Sequence, residues 1–295
     1  MKEKRQKTRW TLYSFSNKFV FSGIIFFTKI LPLTILRLFS FFIAIIFYLI
    51  LKKLRKILMK NFSIYIKDKK NLRNTVKKCF ISYTKGVVDF WYGALRDHKP
   101  LFDLDEKNSK LLLNSKNILL TAHTGNWELG AIYLKILGVP FVVFAQPEED
   151  PKVEENRKRI REKFDIETYY IDSGESLPFV AKRILNEGKS IIMLADRAFK
   201  KDFIKVTFFG EKVCFLKSPF LLSKWTKVPI YPIYFMMENE KYKGFTFNPI
   251  EPTLPVEEMA EKFSRTLEEI LWYYPEQWYN FFDYLKYSNE ILKRK

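Results

Sequence analysis

The residues best suited to chemistry lie in one stretch, NILLTAHTGNWELGAIYLKILG, from Asn117 to Gly138. Its pattern reads as an apolar strand, a tight polar turn and an amphipathic helix, with His123 where the strand ends and Glu128 in the helix's first turn. On one continuous helix two side chains five residues apart would stand about 140° apart around the axis. Across a strand-to-helix turn the carboxylate can fold back toward the imidazole. A histidine near neutral pKa can take a proton from an alcohol, and a carboxylate on its other nitrogen fixes the tautomer and stabilises the imidazolium. Thr124 or Asn126 is placed to cap the helix, and Gly125 lets the backbone turn tightly or come close to a ligand. The helix N-terminus offers a positive field to a developing oxyanion. A histidine that only closes the turn is the competing account.

The elements that would carry this turn follow from periodicity. Asn61 to His98 reads as helix, with Leu72, Val76, Cys79, Phe80 and Tyr83 at three- and four-residue steps and Val87, Phe90, Trp91 and Leu95 continuing the face. After Pro100 short apolar runs alternate with amphipathic ones. Strands are expected at Asn117–Ala122, Phe141–Ala145, Ile166–Ile171, Ser190–Ala195, Lys205–Phe209, Ile230–Met236 and Lys241–Phe247. Helices are expected near Trp127–Leu137, Val153–Phe164, Leu177–Asn186 and Ser218–Thr226, and a charged helix followed by an aromatic tail from Val256 to Lys295. Continuously apolar strands suit a sheet covered on both faces. The fold class is therefore α/β, a mixed and largely parallel sheet flanked by helices.

Ahead of this body lies an apolar segment with basic borders. Met1–Arg9 is basic and polar; apolar runs follow at Phe19–Thr28, Ile30–Leu36 and Leu38–Leu51, and Lys52, Lys53, Arg55 and Lys56 close the last. At about 14 residues that run is short of the ~20 needed to span a bilayer, unless Arg37 and Lys52 snorkel or a longer tilted helix forms. The segment lacks a small-residue cleavage site near its end, unlike a signal peptide. We read residues 1–58 as a hydrophobic membrane anchor, either one span or a helix lying in the interface, and residues 59–295 as the working domain. The cations after Leu51 assign that domain to the cytoplasmic side. A chain of 51 Lys+Arg against 33 Asp+Glu that is also 47% hydrophobic suits an anionic membrane surface better than nucleic acid. Two cysteines in unrelated contexts and two histidines point to neither a disulfide framework nor a His-rich metal site.

HTGNWE, His123–Glu128, resembles the H-x4-D/E box of glycerolipid acyltransferases, and with Gly-Asn-Trp inside it is similar to the late acyltransferases of lipid A biosynthesis and their mannoside-acylating relatives. Further stretches resemble the same family in order: RKILMKNFSIYI (Arg55–Ile66), NRKRIREKFDIETYYID (Asn156–Asp172), MLADRAFKKDFIKVTFFGEKV (Met193–Val213) and YYPEQWYNFFDYL (Tyr273–Leu285). The resemblance implies a glycerolipid acyltransferase-like domain at the bacterial inner membrane. It implies transfer of a fatty-acyl chain from acyl carrier protein or coenzyme A thioester to a hydroxyl of a lipid A precursor or related glycolipid, with no resident cofactor. His123 would be the general base and Glu128 its partner. Arg161, the best match to the family's arginine, would bind an acceptor phosphate or stabilise the tetrahedral intermediate. Asp196 and Arg197 would shape the same pocket, with Asn126 and Gly125 at its turn. The mannoside-acylating relatives usually carry Asp where this chain has Glu128, which leaves another lysolipid or a mannosylated phospholipid open as acceptor.

Two other functions compete. A lipid hydrolase would need a nucleophile, and no Gly-x-Ser-x-Gly elbow is present. A basic membrane-surface binding protein would leave the HTGNWE turn without a purpose. His123→Ala and Glu128→Ala are each expected to lower acyl transfer by about 100-fold or more, the lower range for loss of a general base, while both variants fold and remain with membranes. Turnover assays of the purified variants check this, and near-normal rates in either would remove that residue from the mechanism.

Overall fold

The computed structural model describes residues 18–97, 99–103, 116–147, 151–171, 174–199 and 201–293. Met1–Arg9 and His98 lie outside them. Four helices come first: α1 (Lys18–Ile30), α2 (Leu33–Ile50), α3 (Lys52–Phe62) and α4 (Lys69–Leu95). An α/β body follows, with β1 (Ile118–Thr121), α5 (Trp127–Ile136), β2 (Phe141–Ala145), α6 (Pro151–Lys163), β3 (Glu167–Tyr170), α7 (Leu177–Asn186) and β4 (Ser190–Leu194). Next come β5 (Ile204–Phe208), β6 (Glu211–Phe215), α8 (Ser218–Thr226), β7 (Ile230–Glu238), β8 (Lys241–Thr246), α9 (Val256–Tyr273) and α10 (Tyr284–Leu292).

The main sheet runs β3-β2-β4-β1-β7-β8. Its first five strands are parallel and β8 returns antiparallel to β7. The expected fold class is therefore what the chain adopts. β1 lies inside this sheet and all four of its residues are buried, as a strand covered by helices on both faces must be. In a parallel sheet the C-terminal strand ends gather at one edge, the usual place for a ligand. His123 is at that edge.

Two expectations are corrected. The helix expected from Asn61 is two helices: α3 ends at Phe62, and Asp68 begins α4 by accepting the N–H of Asn71 at 2.8 Å. An aspartate cap outweighs the continuing apolar period because it satisfies a donor that the helix itself leaves open. β6 was not among the expected strands. It opens with two exposed charged residues and has only a three-residue buried run, yet it pairs with β5 across a turn at Phe209 (φ 48°) and Gly210 (φ 84°).

The N-terminal helices are docked on the body. α2 buries Leu36, Ser40 and Ala44, spaced four apart as a single helical stripe requires. Arg37 does not snorkel. Its guanidinium grips both carboxylate oxygens of Asp89 on α4, at 2.7 and 3.0 Å, and reaches Glu240 at 3.0 Å. Tyr242 donates to the same Asp89 at 3.0 Å. A buried carboxylate needs this much pairing.

Gly130 on α5 sits against the Phe235 ring of β7, and a Cβ there would stand 2.2 Å from a ring carbon. Phe235 is itself buried and in edge contact with Tyr133, so it has little room to yield. Gly130→Ala is expected to lose about 1–3 kcal/mol of stability, the usual cost of overpacking. Urea denaturation with an unchanged m-value checks it.

Candidate active site

The site is built by sheet register. β1 and β4 run parallel with Thr121 opposite Leu194. Two residues further along each strand stand His123 and Asp196, so the two side chains meet at the sheet edge. His123 Nδ1 lies 2.6 Å from Asp196 Oδ1, and the same oxygen accepts the His123 backbone N–H at 3.0 Å. The carboxylate expected from Glu128 on the imidazole is thus supplied by Asp196. Glu128 stands on the first turn of α5 and pairs elsewhere, whereas strand pairing aligns Asp196 directly with His123.

Asp196 is fully buried, while the His123 side chain is 19% exposed. The second carboxylate oxygen accepts from Trp278 Nε1 and from Asn280 Nδ2, each at 3.2 Å. Burial works to raise the Asp196 pKa, but its contact with His123, the Arg197 charge and the Asn280 hydrogen bond hold it well below the usual carboxylate range. Burial and the Arg197 charge hold His123 below an ordinary histidine, with Asp196 pulling the other way. This direction favours the neutral imidazole, the form that can accept a proton. With Nδ1 turned to Asp196, Nε2 is the nitrogen that can receive a proton.

Arg197, expected in the pocket wall, ties the C-terminal segment in place. It donates to Asn280 Oδ1 at 2.8 Å and to the Tyr279 carbonyl at 2.7 Å, and lies over the Phe282 ring. Burial brings its pKa down to about 10. Asn126 uses both ends of its amide within the protein: Oδ1 caps α5 through the Leu129 N–H at 3.2 Å, and Nδ2 donates to the Gly86 carbonyl at 2.9 Å. Gly125 adopts φ +54°, and a Cβ there would stand 1.9 Å from the Phe235 carbonyl oxygen. Its close approach is to β7, and no side chain fits between.

Glu128 faces α6. Arg157 donates to it at 2.9 Å, and Arg161 stands 3.6 Å from the same oxygen. Burial would raise the Glu128 pKa; the two guanidinium groups outweigh it and keep the carboxylate ionised. Arg157 and Arg161 are one helical turn apart, so both reach one carboxylate. Arg161, given a substrate role by the resemblance, stands beside Glu128 together with Arg157.

The HTGNWE turn is held by the C-terminal segment. Tyr279 N–H donates to the His123 carbonyl at 2.8 Å, and Gly125 N–H to the Gln277 carbonyl at 2.9 Å. Gln277 pairs its side chain with both backbone groups of Met237, and Trp278 is fully buried. The Trp278 indole both packs in the core and donates to Asp196. Asn280 was missed, although the polar Asn beside Trp278 and Tyr279 in an aromatic segment was a usable signal. Among the described residues no cluster of three His, Cys, Asp or Glu side chains is placed to hold a metal ion.

A family profile for bacterial lipid A biosynthesis acyltransferases matches residues 1–286. The chain belongs to that family. It is also similar to a phosphatidylinositol mannoside acyltransferase of Mycolicibacterium smegmatis, 22% identical over 64% of this chain and 62% of the relative. A protein of the same name from Mycobacterium tuberculosis H37Rv is 24% identical over 50% of this chain and 46% of the relative. Each match spans less than two thirds of the relative's length.

Asp196→Asn is expected to lower turnover by about 100-fold or more and to change its pH profile. With His123 as the general base, the acid limb of the wild-type profile is expected below the ordinary histidine pKa of about 6.5. Without the Asp196 charge the imidazolium loses its stabilising partner, so the limb moves to still lower pH while the plateau drops. A kcat/KM profile with the limb unmoved would separate Asp196 from the titrating group.

Proposed function

We propose that this protein transfers a fatty-acyl chain from a thioester carrier, acyl carrier protein or coenzyme A, to a hydroxyl of a membrane glycolipid. The observation that carries this reading is the imidazole held at 2.6 Å by a buried carboxylate at the C-terminal edge of a parallel sheet, in a chain of this family. Nε2 of His123 takes the proton from the acceptor hydroxyl as its oxygen attacks the thioester carbonyl. The tetrahedral intermediate collapses by breaking the C–S bond, and the imidazolium returns the proton to the leaving thiolate. Asp196 stabilises the imidazolium between these two transfers. No acyl-enzyme and no resident cofactor are needed.

Glu128 acts on the arginines, holding Arg157 and Arg161 at the mouth of the site. Two guanidinium groups on one carboxylate leave net positive charge for an acceptor phosphate or for the developing oxyanion. Lipid A precursors and mannosylated phospholipids are both phosphate-bearing acceptors with free hydroxyls, and the names of the relatives support the second. The apolar N-terminal helices and the basic surface fit work at the cytoplasmic face of a bacterial inner membrane, with anionic lipid as the surrounding partner.

The test is the full chain in detergent with acyl carrier protein and coenzyme A thioesters of several lengths. Lipid A precursors, mannosylated phosphatidylinositols and lysolipids serve as acceptors, and mass spectrometry follows the lipid products. The expected result is an acylated glycolipid formed with equal free thiol and lost in His123→Ala. Thioester consumed to free fatty acid alone would replace transfer with hydrolysis. No turnover with any pairing would leave a binding protein.

A further inference from the structure

α2 is long and apolar enough to cross a membrane by length and composition; how it is held decides whether it does. Its contacts with α4 run along the helix. Arg37 is paired with Asp89, the Ser40 carbonyl accepts from Thr84 at 3.2 Å, and Tyr48 meets Phe80 edge to face. As α2 advances from 37 to 48, its partners retreat from 89 to 80, so the two helices lie antiparallel side by side. Eighteen residues of α2 cover about 27 Å. For α2 to cross the roughly 30 Å hydrocarbon core, the same length of α4 would have to enter with it. α4 cannot. Its other faces bury Val76, Cys79, Phe90 and Trp91 against the body, and Lys77 and Lys78 are exposed on it.

From Leu38 onward the outer face of α2 is apolar. Leu38, Phe39, Phe42, Ile46, Leu49 and Ile50 are all exposed. Exposed cations border the apolar surface of α2 at both ends, Lys29 in the last turn of α1 before it and Lys52, Lys53 and Lys56 after it. No Asp or Glu stands between Lys4 and Lys67. An apolar face with exposed cations at both ends and no acidic residue in its own segment, Glu240 at its flank being paired with Arg37 and Lys85, is complementary to a bilayer surface with anionic head groups.

We propose that the α1–α2 face lies in the plane of an anionic membrane, its apolar side in the shallow acyl region and α4 on the cytoplasmic side of it, and that α2 does not span. The docking mode rests on the membrane-surface part of the proposed function and is independent of the transfer chemistry. Arg37 is then a body-facing latch that fixes the angle at which the site meets the lipid surface.

Cys79 and Cys214 are both buried, so single surface cysteines can be labelled selectively. Phe39→Cys, Phe42→Cys, Ile46→Cys and Leu49→Cys, each in the full chain, carry a nitroxide into phosphatidylcholine–phosphatidylglycerol vesicles, and power saturation reads the depth of each. The expected result is a similar shallow depth at all four positions. Binding should weaken at least about tenfold in Lys52→Glu/Lys53→Glu/Lys56→Glu, given ~1 kcal/mol for each cation near such a surface. Depth that rises to the bilayer centre and falls again would establish a span and overturn the proposal. Labels showing no lipid contact would overturn it too, assigning the face to another protein surface. Acyl transfer by the same variants in detergent separates the two readings: transfer with the wrong depths removes only the docking mode, and the right depths without transfer remove only the enzyme.

Discussion

A buried carboxylate that must remain charged is the constraint around which this molecule is arranged. Asp196 has no exposed surface, and an ion in that position is tolerable only if its lone pairs are met. Four donors do so: the His123 ring and backbone on one oxygen, Trp278 and Asn280 on the other. Each comes from a different need of the fold. The histidine arrives by strand register, and the indole and amide arrive because the C-terminal segment folds back across the sheet edge. Loss of any donor would tilt the carboxylate toward neutrality and weaken its hold on the imidazole.

The same segment holds the turn that carries His123. His123, Gly125 and Asn126 donate or accept through their backbones to Tyr279, Gln277 and Phe235, so the turn is hydrogen-bonded on both sides. Gly125 is required there because strand β7 passes where a side chain would be. Arg197 and Asn280 extend the arrangement: one amide receives the guanidinium and donates to Asp196. Positioning of one nitrogen therefore draws on β1, β4, β7 and the chain's last fifth.

Division of labour between the acidic groups follows from their elements. Asp196 follows a strand and points to the adjacent strand's end, while Glu128 lies on a helix whose first turn faces α6. The pair of arginines at i and i+4 on α6 turns Glu128 into an anchor for positive charge instead of a partner for the histidine. Arg37 and Asp89 repeat the theme at the N-terminal helices, where a part-buried ion pair fixes a helix whose other side is largely apolar.

Local pattern was enough to reveal the α/β class, seven strands and the turn that carries His123, because periodicity and turn chemistry act over a few residues. The ordered motifs pointed to the family for the same reason: each is a short run with its own residue types. The partner of the imidazole was beyond that reach. His123 and Glu128 are neighbours in the chain, and chain proximity made them look coupled, but Asp196 is 73 residues further on and is brought to the ring by the register of two parallel strands. Arg37 is similar: within an apolar run it reads as a snorkelling cation, and only the fold supplies Asp89 fifty-two residues later. Hydrogen bonds and ion pairs between distant segments depend on how elements dock, and no local period encodes that.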